Sequence, residues 1–520
     1  MTIVIGNDMI LSLTLIMWLA GQIHCAKILA VFPTPSYSHQ SVFKVYVEAL
    51  AERGHELVVI RPSAHVHYKP SLIGNITHID TTQSERYFAT LVRDSAVFRK
   101  RGLVADSGTV TARNYMGLAR MISDQLNMPD VQILIKTQNS QSPFDLLIVE
   151  AFMDYPLVLS HLFGDLPVVQ ISSGHGLAEN FETMGAVARH PVFYPNMWRS
   201  KFRQLNTWET IAEIYTELRL QNEFNLLTEE QNKLMKRQFG PNVPTVQQLR
   251  NNVQLLLINT HAVFDNNRPV PPSVQYLGGL HLRDKKVTAM NEYVQKFMDN
   301  STNGVVYVSF GSGIDTDQMD KNFVDMLLNT FNRLPYDVVW KFDAKLEPSR
   351  VPANVLIQAW FDQYSLLHHK NVVAFVTQGG VQSTDEAVSA LVPLVGMPMM
   401  GDQAFNTNKY EDLGIGCAVD TLTVSDKQMS EAIVRTATSN EYRKNLRYLR
   451  HLMNHQAISP TEKAIWYTEH VIANKGRPSH LKTKAANVSY SEYFMSYIII
   501  PLITMTAMNQ VQQLLRVTFF

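Results

Sequence analysis

Short apolar runs alternate with helix-forming segments along most of this chain, and that alternation limits the folds it can adopt. In the first half the apolar runs cover residues 27–32, 57–60, 146–149, 168–171 and 255–258. Between the first two, residues 41–53 place apolar side chains along one helical face, and Gly54 follows as a helix stop. Buried parallel strands joined by helices have this pattern, so we predict an α/β fold.

The second half of the chain repeats the pattern. Apolar runs typical of strands lie at 305–310, 338–342, 372–376 and 393–397, and a helix is expected at 323–334. Beyond residue 419 the sequence favours helices. The repetition predicts two doubly wound, Rossmann-like domains that face each other across a cleft. Residues 196–239 are polar and favour helix, and we expect them to cover one side of that cleft.

Prolines and glycines cluster at residues 268–280, and this cluster is the clearest domain boundary in the sequence. A chain of 520 residues exceeds an ordinary single domain, so two domains are expected. The predicted divisions are a leader at 1–25, a first domain at 26–275, a linker at 276–300, a second domain at 301–450, a terminal helix at 451–480 and a tail at 481–520.

Charge and cysteine content exclude two classes of protein. Lys and Arg total 46 and Asp and Glu total 46, so the balanced charge predicts no nucleic-acid partner. The two cysteines, Cys25 and Cys417, are too few for a disulfide framework.

Both ends of the chain bear on where the protein works. The apolar run at 9–20 has the length of a secretory signal, although a buried first strand is the competing interpretation. Residues 497–505 are apolar but few, include Pro501 and run into polar residues, whereas a membrane span needs about 20 apolar residues. We therefore expect a secreted protein without a membrane anchor. Asn-x-Ser/Thr sequons fit secretion and lie at Asn75, Asn300 and Asn487.

The most specific chemistry lies in residues 372–403. An apolar strand is followed by Gly379 and Gly380, and a helix is predicted to begin near Ser383 or Thr384, whose hydroxyl can cap it. A glycine-rich turn at a helix N-terminus binds anions, because free backbone N–H groups and the helix dipole point at the ligand. A glycine pair alone is also compatible with an ordinary turn.

The residues around this turn resemble the donor-binding signature of the UDP-glycosyltransferases, the family 1 glycosyltransferases. Trp360 and Gln363 hold the places of the family's Trp-x-x-Gln pair. Glu386 matches the glutamate that binds ribose, and Asp402 with Gln403 matches the pair that closes the signature. The similarity extends over most of the chain.

One position departs from the wider family. Most members have a histidine before the two glycines, and this chain has Gln378. The Thr-Gln-Gly-Gly variant resembles that of the ecdysteroid UDP-glucosyltransferases of insect baculoviruses. A glutamine donates a hydrogen bond but cannot add the positive charge of an imidazolium.

The resemblance implies a GT-B fold, with the UDP-sugar bound by the second domain, the acceptor by the first, and the terminal helix returning to the first. It implies a UDP-hexosyltransferase that moves glucose from UDP-glucose to an ecdysteroid hydroxyl with inversion, inactivating the hormone and blocking host moulting. No cofactor and no metal are implied. The implied donor-binding residues are Ser309, Gly311, Ser312, Trp360, Gln363, Gln378, Gly379, Gly380, Gln382, Glu386, Asp402 and Gln403.

An acceptor hydroxyl needs a base to become a good nucleophile at neutral pH. His39 is the candidate, because it lies in the loop after the first predicted strand, at the top of the first sheet. The family's partner acid follows a Phe-Asp-apolar strand, which places Glu150 in that role here, where most relatives have aspartate. Asp154 is the second choice, since its spacing differs.

Three alternatives remain open from the sequence. One is a UDP-glycosyltransferase with another small lipophilic acceptor. Another is a sugar-nucleotide epimerase or hydrolase of the same fold, although bulky residues at Tyr37, Phe152, Tyr194 and Trp198 favour an apolar acceptor pocket. The third is a secreted hormone-binding relative without catalysis, which Gln378 would suit.

Overall fold

The structure is a computed structural model of the 520-residue chain. It describes residues 25–62, 66–88, 110–137, 144–199, 204–314, 316–343, 346, 348–476 and 481–518. The predicted leader lies, except for Cys25, outside the described residues. Cys25 and Cys417 are both free thiols.

The first domain is built on a seven-stranded sheet in which every pairing is parallel. Its spatial order is β3-β2-β1-β4-β5-β6-β7. The strands are β1 (Lys27–Val31), β2 (Glu56–Arg61), β3 (Ile76–Asp80), β4 (Leu146–Glu150), β5 (Val168–Ser172), β6 (Val253–Ile258) and β7 (Val274–Tyr276).

The second domain is built on a six-stranded parallel sheet in the order β10-β9-β8-β11-β12-β13. Its strands are β8 (Val305–Ser309), β9 (Asp337–Lys341), β10 (Val355–Gln358), β11 (Val372–Thr377), β12 (Leu394–Gly396) and β13 (Gly416–Ala418). The predicted fold class is therefore confirmed: two parallel-sheet α/β domains face each other.

Helices cover both faces of each sheet. Those before the second sheet are α1 (Tyr37–Glu52), α2 (Ala112–Leu126), α3 (Pro129–Thr137), α4 (Val158–Leu162), α5 (Ala178–Met184), α6 (Thr207–Phe239), α7 (Val246–Leu249) and α8 (Glu292–Asp299). Those after its first strand are α9 (Lys321–Arg333), α10 (Gln363–Leu367), α11 (Val381–Ala390), α12 (Gln403–Asp412), α13 (Asp426–Thr438), α14 (Asn440–Asn454), α15 (Pro460–Ala473), α16 (Tyr490–Tyr493) and α17 (Ser496–Thr518).

The apolar runs are continuous because both faces of each sheet are buried. Along β1, Leu29 packs into the core on one face of the sheet, whereas Ile28 and Ala30 pack into the core on the other. All three side chains are fully buried. The second sheet has two cores of its own, so each domain carries a complete hydrophobic interior.

The strand order of each sheet reverses at one place, between β1 and β4 in the first and between β8 and β11 in the second. Val31 lies opposite Val149, and Ser309 lies opposite Thr377. The chain therefore leaves both strands of each pair at the same edge of the sheet. Open α/β sheets bind ligands at such reversal points.

Helix α15 returns to the first domain after the second is complete. Its Ala464 and Val471 enter the core that α1 covers. The Tyr46 hydroxyl contacts Thr468 at 2.5 Å, and Glu469 accepts two hydrogen bonds from the Arg53 guanidinium at 2.9 and 3.0 Å. These contacts hold helix α15, which follows the second domain in sequence, against the first domain.

The C-terminal segment differs from its predicted form. The short apolar run at 497–505 is part of one helix, α17, which continues through Pro501. Ser496–Leu515, 20 residues, is long and apolar enough to cross a membrane by length and composition, and none of it is buried. The absence of an anchor therefore stays a prediction.

The three sequon asparagines differ in how their side chains are used. Asn487 donates to Gln247 O and to Asn251 Oδ1, and Asn75 donates to Ala51 O. Asn300 is exposed at the end of α8. Their glycosylation stays a prediction.

Candidate active site

The two reversal points face each other across one cavity of about 1070 Å³. Residues that follow β1, β4 and β5 line it from the first domain. From the second domain it is lined by the last residue of β9 and by residues that follow β8, β10 and β11. Segments far apart in sequence thus meet because parallel strands end at the same edge.

His39 and Glu150 are brought together at the first reversal point. His39 Nδ1 lies 2.6 Å from Glu150 Oε1, and Glu150 is almost fully buried. The second carboxylate oxygen accepts the backbone N–H of Thr34 at 3.2 Å. Because a carboxylate only accepts, His39 donates through Nδ1 and keeps the lone pair of Nε2 for the cavity. This is the arrangement of a general base held by an acid.

One detail of this pair differs from the sequence interpretation, and the alternative acid has other partners. His39 lies in the first turn of α1 and not in the loop before it, because the helix begins already at Tyr37. Asp154, the second choice for the acid, forms an ion pair with Arg250 at 2.6 Å and accepts from Gln170 at 3.2 Å. Glu150 is therefore the carboxylate that holds the imidazole.

The glycine turn at the second reversal point is fixed by packing. Gly379 has a φ of +93°, and a Cβ there would lie 2.6 Å from Thr407 Cγ2, so only glycine fits. Helix α11 begins at Val381 with Gly380 as its N-cap residue, and no side chain caps it. The predicted start at Ser383 or Thr384 is wrong, since the helix starts directly after the glycines. Its first N–H groups consequently lack a side-chain partner at the cavity.

Gln378 spans the two turns of this edge. Its Nε2 packs against Gly311, where a φ of +77° and the absence of a Cβ make room for it. Its Oε1 is buried without a hydrogen-bond partner among the described residues. The oxygen and nitrogen of a side-chain amide occupy nearly equivalent positions. Rotating the Gln378 amide by a half-turn about its last side-chain bond therefore presents the NH2 group to a ligand instead. An unsatisfied amide at an anion site fits a ligand that accepts hydrogen bonds.

Trp360 presents a flat surface to the cavity. Its side chain is 54% exposed, and Tyr37 of the first domain meets it edge-on at 5.3 Å. The ammonium of Lys341 lies 5.5 Å from the ring centroid and donates to Gly311 O at 3.1 Å. Burial lowers the pKa of Lys341. This lysine was not predicted from the sequence, although it ends strand β9, and residues at strand ends gather at the ligand-binding edge of such a sheet.

Gln363 and Glu386 form a connected polar pair. Gln363 Nε2 donates to Glu386 Oε2 at 2.8 Å and to Ser383 Oγ at 2.9 Å. Lys285 lies 3.5 Å from Glu386 Oε1 and was also missed, because it comes from the linker between the domains. Burial raises the pKa of Glu386, while Lys285 and Gln363 oppose that rise.

Asp402 and Gln403 make different hydrogen bonds at the start of α12. Gln403 Oε1 accepts the N–H groups of Met399 and Met400 at 2.9 and 2.8 Å, which leaves its NH2 group as a donor. Asp402 does not cap α12 with its side chain; it accepts through Oδ2 from Asn406 at 3.0 Å. The pair therefore offers one acceptor and one donor to the cavity, which both residues line.

The remaining predicted donor residues have different positions. Ser309 is buried, and its Oγ accepts from Gly311 N at 3.4 Å, so it shapes the turn. Ser312 lies on the cavity wall. The side chain of Gln382 reaches the first domain and donates to Ser173 O at 2.8 Å, so only its backbone N–H remains for a phosphate.

Among the described residues, no group of three or more His, Cys, Asp or Glu side chains is arranged to hold a metal ion. The polar side chains at the cavity include the imidazole–carboxylate pair on one wall, and on the other amides, hydroxyls, the carboxylates of Glu386 and Asp402, and lysines such as Lys285 and Lys341. A base facing a helix N-terminus across a closed cleft suits group transfer from a phosphorylated donor to a second molecule.

Two parallel-sheet domains that face each other across such a cleft make up the GT-B fold. The crystal structure of the glycotransferase of kitacinnamycin superposes with a TM-score of 0.58, covering 87% of this chain and 99% of that one at 17% identity. That likeness supports the fold.

Sequence comparison gives the family. Residues 26–517 match the model of the UDP-glucoronosyl and UDP-glucosyl transferases, and the chain belongs to this family. It is 58% identical over 514 residues to the ecdysteroid UDP-glucosyltransferase of Mamestra brassicae nuclear polyhedrosis virus, covering 98% of this chain and 97% of the relative. The corresponding protein of Lymantria dispar multicapsid nuclear polyhedrosis virus is 54% identical, covering 94% of this chain and 96% of the relative. The predicted family is therefore confirmed.

Proposed function

We propose that this enzyme transfers glucose from UDP-glucose to a hydroxyl of an ecdysteroid, with inversion at the sugar carbon. The observation that carries the proposal is that the His39–Glu150 pair and the glycine turn before α11 face one cavity. The names of the relatives supply the donor sugar and the steroid class. Conjugation of a moulting hormone would inactivate it and block moulting in the host.

The reaction follows from the positions of the two walls. His39 Nε2 accepts the proton of the acceptor hydroxyl as its oxygen bonds to the sugar carbon. The bond from that carbon to the diphosphate breaks, and its electron pair leaves with UDP. Glu150 stabilises the imidazolium that forms, since one of its oxygens already binds Nδ1 at 2.6 Å. The departing charge meets the first N–H groups of α11 and Gln378.

The donor extends along the second domain. Trp360 receives the uracil on its exposed face, and Lys341 stands beside that ring. Glu386, oriented by Gln363, accepts from the ribose hydroxyls. Asp402 and Gln403 bind the sugar hydroxyls as acceptor and donor. These roles agree with the contacts each side chain leaves free.

The acceptor lies against an aromatic wall of the first domain. The ring of Phe152 lies 6.1 Å from His39, and Tyr115 lies 6.1 Å from Phe152 and 6.0 Å from Trp198. The wall therefore leads away from the base in ring-sized steps, which suits a rigid fused-ring molecule. The Tyr115 hydroxyl is a polar atom on this path. No hydrogen bond from it to another described residue is present, and burial raises its pKa, so it stays protonated and able to donate.

We expect Tyr115→Phe to weaken binding of a polyhydroxylated steroid while leaving chemistry unchanged. The variant removes one hydrogen bond, so KM for ecdysone should rise about tenfold with kcat preserved. Phe224→Leu is the matched control, because Phe224 packs behind Tyr115 at 5.7 Å and is itself buried. An unchanged KM in Tyr115→Phe would place the steroid elsewhere in the cavity.

The proposal is tested by incubating the purified protein with UDP-glucose and ecdysone and measuring product masses. We expect the steroid to gain one hexose. Free glucose without conjugate would indicate a hydrolase, and a converted sugar nucleotide would indicate an epimerase. A bound but unmodified steroid would indicate a sequestering protein. UDP-galactose and UDP-glucuronate serve as donor controls.

We also propose that the protein is secreted and not anchored in a membrane. The support is the apolar leader together with amides and Arg516 in the second half of α17, at Asn509, Gln510, Gln512 and Gln513. Expressed in insect cells, the protein should collect in the medium. Fractionation decides the matter: recovery in a membrane pellet that resists high salt and carbonate would mean that α17 is inserted.

A further inference from the structure

Asn406 connects two parts of the donor site that are separate in sequence. It lies on α12, one turn beyond Asp402, and is almost fully buried. Its Nδ2 donates to Gly379 O at 2.8 Å and to Asp402 Oδ2 at 3.0 Å. One side chain thereby holds both the glycine turn and one oxygen of the Asp402 carboxylate.

The remaining atom of this amide is bound by the other domain. Asn406 Oδ1 lies 2.7 Å from Nε2 of His175, a buried side chain in the loop after β5. The direction of every hydrogen bond in this series, from His175 through Asn406 to Gly379 and Asp402, is determined. A carbonyl and a carboxylate only accept, so Asn406 turns its NH2 group to them and its oxygen to His175. His175 must then donate through Nε2–H.

The two residues before His175 in this loop also pack against the donor turn. Gly174 is so close that a Cβ there would lie 3.5 Å from Val381 and 3.9 Å from Asp402 Oδ2. The neighbouring Ser173 O accepts from Gln382 at 2.8 Å. The first domain therefore lies directly against the second domain's proposed sugar site.

We propose that His175 and Asn406 are positioning residues for the sugar half of the donor, resting on the proposed role of Asp402 in binding sugar hydroxyls. With Oδ2 held by Asn406, the carboxylate directs Oδ1 into the cavity. Without His175, Asn406 and the carboxylate lose their fixed orientation. The uracil and ribose contacts, at Trp360 and Glu386, do not depend on this chain of bonds. The glycine turn is also held by the packing of Gly379 against Thr407, so the loss of His175 should affect recognition of glucose more than recognition of UDP.

The test compares UDP binding by calorimetry with UDP-glucose kinetics in three variants of His175. His175→Leu loses the donor, His175→Asn keeps an amide too short to reach, and His175→Gln can place an NH2 group near the lost Nε2. In the first two we expect KM for UDP-glucose to rise about tenfold with UDP affinity within about twofold of the parent. His175→Gln should restore most of the loss.

Three results would overturn the inference. They are equal weakening of UDP and UDP-glucose, parent-like kinetics in all three variants, and no rescue by glutamine. His161→Leu, at a surface histidine that pairs with Asp165, is the matched control. Asp402→Ala separates this inference from the function it rests on. If Asp402→Ala itself leaves KM for UDP-glucose unchanged, the sugar assignment is at fault; if it raises KM while the His175 variants do not, only the positioning role fails.

Discussion

His39→Ala is expected to lose about 10²–10⁴-fold in turnover while binding UDP as tightly as the parent. The imidazole is the base nearest the acceptor wall. Because Nδ1 is bound to Glu150, the lone pair of Nε2 is the one that can accept the proton of the acceptor. Among the described residues, no predicted donor-binding residue contacts the imidazole ring. The aromatic rings beside it are those of Phe43 and Phe152. Steady-state rates with ecdysone, together with calorimetry for UDP, measure the two effects separately.

Two further variants sharpen this result. Glu150→Gln keeps an oxygen that can accept from Nδ1 but removes the negative charge, so it should fall between the parent and His39→Ala. His161→Ala, a surface histidine of α4, should behave as the parent. Near-normal turnover in His39→Ala would remove this residue from the mechanism.

Gln378→Ala is expected to lower the rate on the order of 10²-fold, comparable to the loss of one oxyanion donor. The amide spans the turns that follow β8 and β11, and its oxygen has no partner among the described residues. The departing diphosphate carries more charge in the transition state than in the ground state, so kcat should fall more than donor affinity.

Gln378→His is the matched variant. An imidazolium adds charge to the hydrogen bond and roughly doubles its strength, so activity should be retained. The kinetics against UDP-glucose decide the role of the turn. If Gln378→Ala equalled the parent in both rate and donor affinity, the glycine turn would be structural and the diphosphate would lie elsewhere.

The sequence predicted the centre of the site because that centre follows one local rule. Residues directly after buried parallel strands gather at the reversal point of the sheet, and both His39 and Gln378 follow such strands. Glu150 was assigned from the family resemblance; in the structure it ends β4, beside β1, and this position explains its contact with His39. The roles of all these residues stay predictions until the variants are measured.

Contacts between the domains could not be predicted. His175 meets Asn406 and Gln382 meets Ser173 only because two separately folded sheets close on each other. No periodicity within either segment contains that information. Lys285 is a similar case, since it comes from the linker and its partner Glu386 lies in helix α11 of the second domain.

Some elements were missed because their local signal is weak. Strand β3 lies at a sheet edge and buries only the first of its five residues, so it lacks an apolar run. Strand β13 has only three residues. The start of α11 was misplaced because hydroxyl side chains at Ser383 and Thr384 looked like caps. Glycine takes the cap position, and the helix begins four residues earlier than a hydroxyl cap at Thr384 would allow.

The most direct measurement is the anomeric configuration of the glucose on the steroid product, determined by proton NMR. The sugar in UDP-glucose is α-linked. With His39 delivering the acceptor oxygen from the first-domain wall and the diphosphate held on the opposite wall, attack occurs from the face away from the leaving group. The account predicts a β-glucoside of the ecdysteroid. An α-glucoside, or no conjugate from intact protein, would contradict it.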